Sequence, residues 1–303
     1  MSGHNNSFKV QDNSVSVGGG SRLPEPINPP PLPLKILSSN VRGINDDDRR
    51  GTFFHLTKSL NPGLLFLQET KLKKTTNKFF NWKGSVHCSS MDSSSVGFAC
   101  LSASPLTLNY ITELEGRALF TTCNNLLIVN VYAPNDHISR CSFFAALHEL
   151  IAEHKSRFQT ILMLGDFNCT LTHLDNIHGS APNCPVSLSA LIEDFELIDI
   201  YRNLYPYGNE TTWSSSTYGT RIDFAFISRE SLHLVQEFDY LANPISDHKL
   251  VSLTLSHFPK KRSKKDNCFI PRTFFLCEGF VEAIPSFKPN DTLDLIKIIQ
   301  KNC

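Results

Sequence analysis

The chain predicts an α/β domain built on mixed β-sheet, and three observations carry that expectation. Short apolar, β-prone runs outnumber amphipathic helical segments. Two of the runs, 118–122 and 126–132, lie close enough in sequence to form a hairpin, which makes them antiparallel neighbours. Others are separated by helix-length connections, which suit parallel pairing.

Taken in order, the strand candidates are 34–37, 64–67, 96–101, 118–122, 126–132, 160–164, 222–227 and 250–255, each rich in Leu, Ile, Val, Phe or Thr. Between them, Phe143, Phe144, Leu147, Leu150 and Ile151 recur at helical spacing, and so do Leu188, Leu191, Ile192 and Phe195. Residues 1–33 are rich in Ser, Asn and Gly and then in proline (Pro24, Pro26, Pro29, Pro30, Pro31, Pro33). Proline fixes φ and removes a donor, so this stretch is expected to be a disordered leader. A single domain is expected over 34–257, and 258–303 reads as a basic linker with a weakly structured tail. Lys260, Lys261, Arg262, Lys264 and Lys265 crowd the start of that linker.

The 303 residues are 41% hydrophobic and 19% charged, the composition of a globular chain able to bury a core. Twenty-nine basic and 29 acidic residues cancel, so any nucleic acid must be met by a local patch. Nine cysteines at irregular spacing, with no Cys-x-x-Cys pair, suggest neither a disulfide framework nor a zinc ribbon. No signal peptide and no apolar run of about 20 residues is present, so no membrane partner is expected.

Several reaction classes fall away because a motif needs all its members. His148-Glu149-Leu150-Ile151-Ala152 lacks the second imidazole of a zinc-protease helix. No Gly-x-Ser-x-Gly, phosphate-loop or dinucleotide glycine motif occurs, and no small-molecule cofactor is expected. His173 and His178 flank Asp175 as members of a polar loop.

What remains is a set of polar residues placed just beyond apolar runs, where an α/β scaffold presents its chemistry. Asn40 follows the first run, Glu69 the second, and Tyr132 ends the fifth. Asp166 and Asn168 follow the sixth, and Asp247 and His248 precede the last. Each alone reads as a cap or turn former; together they have the members needed for metal-assisted phosphodiester hydrolysis. A hard divalent cation asks for one or two carboxylates, which Glu69 with Asp166 or Asp247 can supply. Charge developing on phosphoryl oxygens can be met by the metal, His248, Asn168 and Tyr132. Either Asp166 or an Asp-oriented His248 suits the role of base toward water.

At these residues the chain resembles the endonuclease/exonuclease/phosphatase superfamily. The motifs appear in order: Ser39-Asn40-Val41-Arg42-Gly43, Leu67-Gln68-Glu69-Thr70, Val131-Tyr132-Ala133-Pro134, Gly165-Asp166-Phe167-Asn168, Arg221-Ile222-Asp223-Phe224 and Ser246-Asp247-His248. The resemblance implies a DNase I-like sandwich, two packed mixed β-sheets flanked by helices, with the site at one edge. It implies Glu69 as principal metal ligand, with Asn40 and Asp247 completing the surroundings of Mg²⁺, for which Mn²⁺ can substitute. It also implies that Asp166 and Asn168 position water and phosphate, that Tyr132 binds phosphate, and that Asp223 pairs with His248.

Within the superfamily the likeness is to the N-terminal endonuclease of LINE-type retrotransposon proteins, which nicks DNA to prime reverse transcription. Arg42 stands two after Asn40, where AP endonucleases carry aspartate. The segment from Asn209 to Ser214 resembles that family's DNA-contact strand, which marks Thr211. The stretch 269–287 resembles its connector toward a polymerase; no polymerase follows, which suggests a fragmentary or domesticated copy. DNA is therefore the expected partner, with Lys71, Lys73, Lys74 and Lys78 placed to meet phosphates and Arg221 to probe a groove. A DNA substrate and the basic run make an intracellular, nuclear location the expectation. The rival readings are an AP endonuclease or other phosphoesterase, and an inactive nucleic-acid-binding relic.

Overall fold

Side chains along a strand alternate between its two faces, and the runs 64–67, 126–129 and 161–164 are apolar on both. The computed structural model describes residues 33–71, 86–89, 97–100 and 108–256. The expected leader and tail, the basic run at 260–265, the connector-like stretch and Lys73, Lys74 and Lys78 lie outside the described residues.

Two six-stranded sheets form. The first runs β13 (Val235–Leu241), β14 (Leu250–Leu255), β1 (Leu34–Asn40), β2 (Leu64–Gln68), β4 (Gly97–Cys100), β3 (Val86–Cys88). The second runs β5 (Asn109–Leu114), β6 (Ala118–Cys123), β7 (Leu126–Tyr132), β8 (Thr160–Asp166), β12 (Asp223–Ser228), β9 (Leu197–Asp199). A ribbon of β10 (Trp213–Ser214) and β11 (Gly219–Thr220) stands apart from both. Each large sheet is mixed: β1 pairs with β2 in parallel, β7 with β8 in parallel, and the other pairs are antiparallel. Both parallel pairs are joined by a helical crossover, α1 (Asp47–Ser59) between β1 and β2 and α2 (His137–Lys155) between β7 and β8. Each helix starts at an aspartate whose carboxylate accepts a first-turn N–H, Asp46 from Arg49 and Asp136 from Ser139, at 2.8 Å in both cases.

The alternation sorts side chains into three cores. Ile36, Leu64, Phe66, Ile128, Leu162, Leu164, Ala225 and Leu253 point between the sheets. Leu37, Leu65 and Leu67 face outward with Phe53 and Phe54 of α1. Leu127, Val129 and Met163 face outward with Phe144 and Leu147 of α2 and Leu188 and Leu191 of α3 (Val186–Asp194). The result is a helix–sheet–sheet–helix sandwich, the fold expected. Burying each such Leu, Ile or Phe is worth about 1.5–3 kcal/mol, so no single contact holds the sheets together.

Two polar details sit beneath the site. Gln68 of β2, fully buried, donates from Nε2 to Ser38 Oγ at 2.9 Å and to Asn130 Oδ1 at 2.6 Å, tying the two sheets. Gly165 of β8 has φ +133°, and a Cβ there would stand 2.1 Å from the Val131 carbonyl oxygen, so only glycine permits this approach of β7 and β8. Among the described residues no helix is long and apolar enough to cross a membrane.

Candidate active site

The parallel pairings place the ends of β1, β2, β7 and β8 at one edge of the sandwich, and the antiparallel β12 and β14 begin there. Asn40, Glu69, Asp247 and His248 therefore come from the first sheet, and Tyr132, Asp166, Asn168 and Asp223 from the second. Past its ladder the β1 chain keeps company with β2, Gly43 N–H donating to Glu69 O at 2.7 Å. Four non-glycine residues with left-handed backbones cluster here: Arg42, Glu69, Lys71 and Asn168, with φ from 48° to 53°. Such strain is tolerated where side chains must be aimed.

Asp223 Oδ2 lies 2.9 Å from His248 Nδ1, and His248 Nε2 faces Asp166 Oδ2 at 4.0 Å. Asn40 Nδ2 donates to that same Asp166 oxygen at 2.8 Å, while the Asn168 N–H donates to Asp166 Oδ1 at 2.9 Å. Asn168 is held in turn by Nδ2 donating to Ala133 O at 2.8 Å. The backbone of Asp223 is pinned from below: the N–H groups of Ile222 and Asp223 both donate to Thr212 Oγ1, each at 3.0 Å.

Burial sets the protonation states. Desolvation pulls the His248 imidazolium down, but the Asp223 charge and hydrogen bond, with help from Asp166 and Asp247, outweigh it and push the group up to about 9. Desolvation, then the neighbouring Asp223 charge, pushes Asp166 up to about 7. Desolvation and the charges of Glu69 and Asp166 push the Tyr132 phenol up to about 12, against Arg117 and Arg42. At neutral pH the site thus holds a protonated imidazole, a protonated phenol and a carboxyl poised to exchange a proton.

The donor atoms of Asp166, Asp223 and His248 lie within 4.8 Å of one another. The charged, hydrogen-bonded state of His248 suits this trio to proton handling. The other side of the site suits a hard cation. Among the described residues Glu69 is paired with one positive group, Lys71 Nζ at 2.5 Å from Oε1. Asp247 Oδ2 accepts from Trp213 Nε1 at 2.9 Å and Arg42 Nη1 at 2.5 Å, while its Oδ1 is buried with no hydrogen-bond partner among the described residues. Asn40 Oδ1 accepts the Arg42 N–H at 3.0 Å and keeps a lone pair. An orphaned carboxylate oxygen and a second carboxylate, in an all-oxygen set, fit Mg²⁺ or Mn²⁺.

Three expectations need comment. Arg221 is not a groove probe: its side chain is fully buried, with Nε donating to Asp175 Oδ1 at 2.8 Å and Nη2 to Asp199 Oδ2 at 2.7 Å. Its guanidinium packs over the Tyr201 and Phe224 rings, so it braces the loop that delivers Asp223 and cannot reach a duplex. Thr211 is half-buried against Gly219, and its neighbour Thr212 makes the contacts that matter to Asp223. Lys71 is described and points at Glu69; Lys73 is not described. Sequence reasoning missed Arg117, which lies 5.2 Å over the Tyr132 ring, and gave no role to Ser246 of its last motif, whose hydroxyl ties Asn40 O at 2.8 Å to the His248 loop.

Residues 37–248 match the Endonuclease/Exonuclease/phosphatase family, and the chain belongs to it. It is 28% identical over 242 residues to the Transposon TX1 uncharacterized 149 kDa protein of Xenopus laevis, a match over 75% of this chain and 18% of that protein. The chain thus spans well under two thirds of that relative. Among solved structures it is similar to a 3′-5′ exonuclease from Neisseria meningitidis, with TM-score 0.65, 21% identity and coverage of 74% of this chain and 100% of that one. An AP endonuclease from Archaeoglobus fulgidus superposes with TM-score 0.62 at 17% identity, over 73% and 99% of the two chains. These structures share the two-sheet fold.

Proposed function

We propose that the chain is a metal-dependent DNA endonuclease of the retrotransposon type, which nicks a strand by attack of water on a phosphodiester. The observation that carries this reading is the hydrogen-bonded Asp223–His248 pair facing Asp166 across 4.0 Å. The transposon relative supports the retroelement class, and the nuclease neighbours support a nucleic acid as substrate.

Asp166, poised near neutrality, takes the proton of the attacking water. Asn40 and Asn168 hold its two oxygens so that one lone pair faces the incoming molecule. His248, held charged by Asp223, meets the negative charge that grows on the phosphoryl oxygens, and the Tyr132 hydroxyl donates to the same group. Glu69 and Asp247, with Asn40 beside them, would hold Mg²⁺ or Mn²⁺, which supplies Lewis-acid stabilisation of the phosphate when bound. Thr211 and Lys71 are assigned contacts with the strand in this reading. A DNA substrate places the protein's work in the nucleus.

A supercoiled-plasmid assay with Mg²⁺ tests this reading. Relaxed circles are expected from the native chain, with losses of at least about 10²-fold in Glu69→Ala and in His248→Ala. Incision confined to abasic duplex would assign repair instead, and absence of nicking with either metal would overturn the proposal.

A further inference from the structure

We propose that Cys169 and Cys184 form a dithiol site that a hydroperoxide closes into a disulfide. The two cysteines lie on segments clasped side by side. Thr170, next to Cys169, donates its N–H to Asn183 Oδ1 at 2.8 Å and its hydroxyl to the same oxygen at 3.2 Å. Asn183, next to Cys184, donates its N–H back to Thr170 Oγ1 at 3.3 Å. The two thiols stand near enough to shift each other's protonation, and neither is in a disulfide.

The two sulfurs are unequal, as an attacking and a resolving thiol must be. Cys169 is 1% exposed and packs in the outer core against α2 and α3, whereas Cys184 is half-buried and reachable. The hydrogen bond from Cys169 holds the Cys184 thiol below its ordinary range, and Ser189 Oγ, 3.5 Å from Cys184 Sγ, lowers it further. Cys184 also immediately precedes Pro185, the N-cap of α3, where the helix favours negative charge. Arg140 is a buried cation whose charge favours thiolate at Cys184, whereas Cys184 and burial outweigh it at Cys169 and keep that group a thiol; its Nη1 donates to the carbonyls of Pro134 and Asn135, and its Nε is buried without a partner among the described residues.

In the reaction the Cys184 thiolate attacks the terminal oxygen of the hydroperoxide. A sulfur–oxygen bond forms as the oxygen–oxygen bond breaks, and the departing alkoxide, or hydroxide from hydrogen peroxide, takes up a proton. The Cys169 sulfur then attacks the Cys184 sulfenic acid, and hydroxide leaves with the Cys169 proton as water. Two electrons pass from the thiols to the peroxide. The new bond ties the segment beginning at Asn168 to the start of α3.

The test uses the full chain with equimolar hydrogen peroxide, followed by alkylation, digestion and mass spectrometry. A peptide linking Cys169 to Cys184, lighter by two hydrogens than its parts, is expected, with Cys123 and Cys141 alkylated. Cys169→Ala is expected to trap dimedone on Cys184, and Cys184→Ser to yield no linked peptide. Should either variant fail to fold, alkylation of the native chain decides: Cys184 is expected to react at neutral pH at least about tenfold faster than half-buried Cys141. Full alkylation of both thiols after peroxide, linkage scattered among other cysteines, or a Cys184 no faster than Cys141 overturns the proposal.

Discussion

Asp223 sits directly opposite Asp166 in the antiparallel ladder of β8 and β12. One register therefore sets the spacing between the carboxylate that holds the imidazole and the carboxylate that the imidazole faces. Like charges so placed cannot both ionise cheaply, and the His248 proton relieves them.

The first prediction concerns that proton. The His248 imidazole of the metal-free protein should titrate by NMR at about 9. In Asp223→Ala burial is left with weaker opposition, and the midpoint should fall toward or below the ordinary histidine value of about 6.5. Because the folded value is raised, the associated stability is fully present below about 6.5 and is lost as pH climbs through about 9. A midpoint unmoved by the substitution would contradict this.

A second prediction separates bracing from binding at Arg221. Truncation to Ala leaves the buried Asp175 with Arg202 as its one remaining cation and strips Asp199 of its ion pair, and should lower stability by up to about 3–5 kcal/mol in urea denaturation. Arg221→Lys should not rescue it, since one ammonium cannot reach both Asp175 and Asp199 with the same fork. Burial pushes the Asp175 carboxyl up, but Arg221 and the Thr172 N–H outweigh it and leave it below its ordinary range. The stability it lends is present above about 3.9 and lost as pH falls through the lower folded value. A stable Arg221→Ala with weakened DNA binding would restore the groove-probe role.

A third prediction follows from Lys71. Its ammonium competes with a divalent cation for Glu69, and an ion pair this exposed is worth about 0.2–1 kcal/mol. Calorimetric titration without DNA should therefore show Lys71→Ala binding Mg²⁺ up to about fivefold more tightly. Weaker binding in the variant would mean that Lys71 does not occupy the metal's carboxylate.

Much of this architecture was legible in the chain. The limits expected for β7 and β14 coincide with those observed, because each run is buried on both faces and ends at a polar site residue or a turn. The site residues were legible because strand ends in sequence become one edge in space. What escaped was whatever depends on distant partners. Arg221 stands two residues before Asp223, and its anchors lie 46 and 22 residues away. Helix α1 shows only Phe53, Phe54 and Thr57 to the core, too narrow a stripe to stand out. Strand β13 buries only Phe238 and Tyr240, a two-residue alternation within a charged run. Thr211 and Thr212 differ only in facing, which a two-residue strand does not disclose.

Because half of the reactive groups ride on each sheet, hydrolysis is an intrinsic gauge of whether the sandwich has closed. A loosened globule that keeps its helices and strands but lets the sheets drift would retain its circular dichroism and forfeit all turnover.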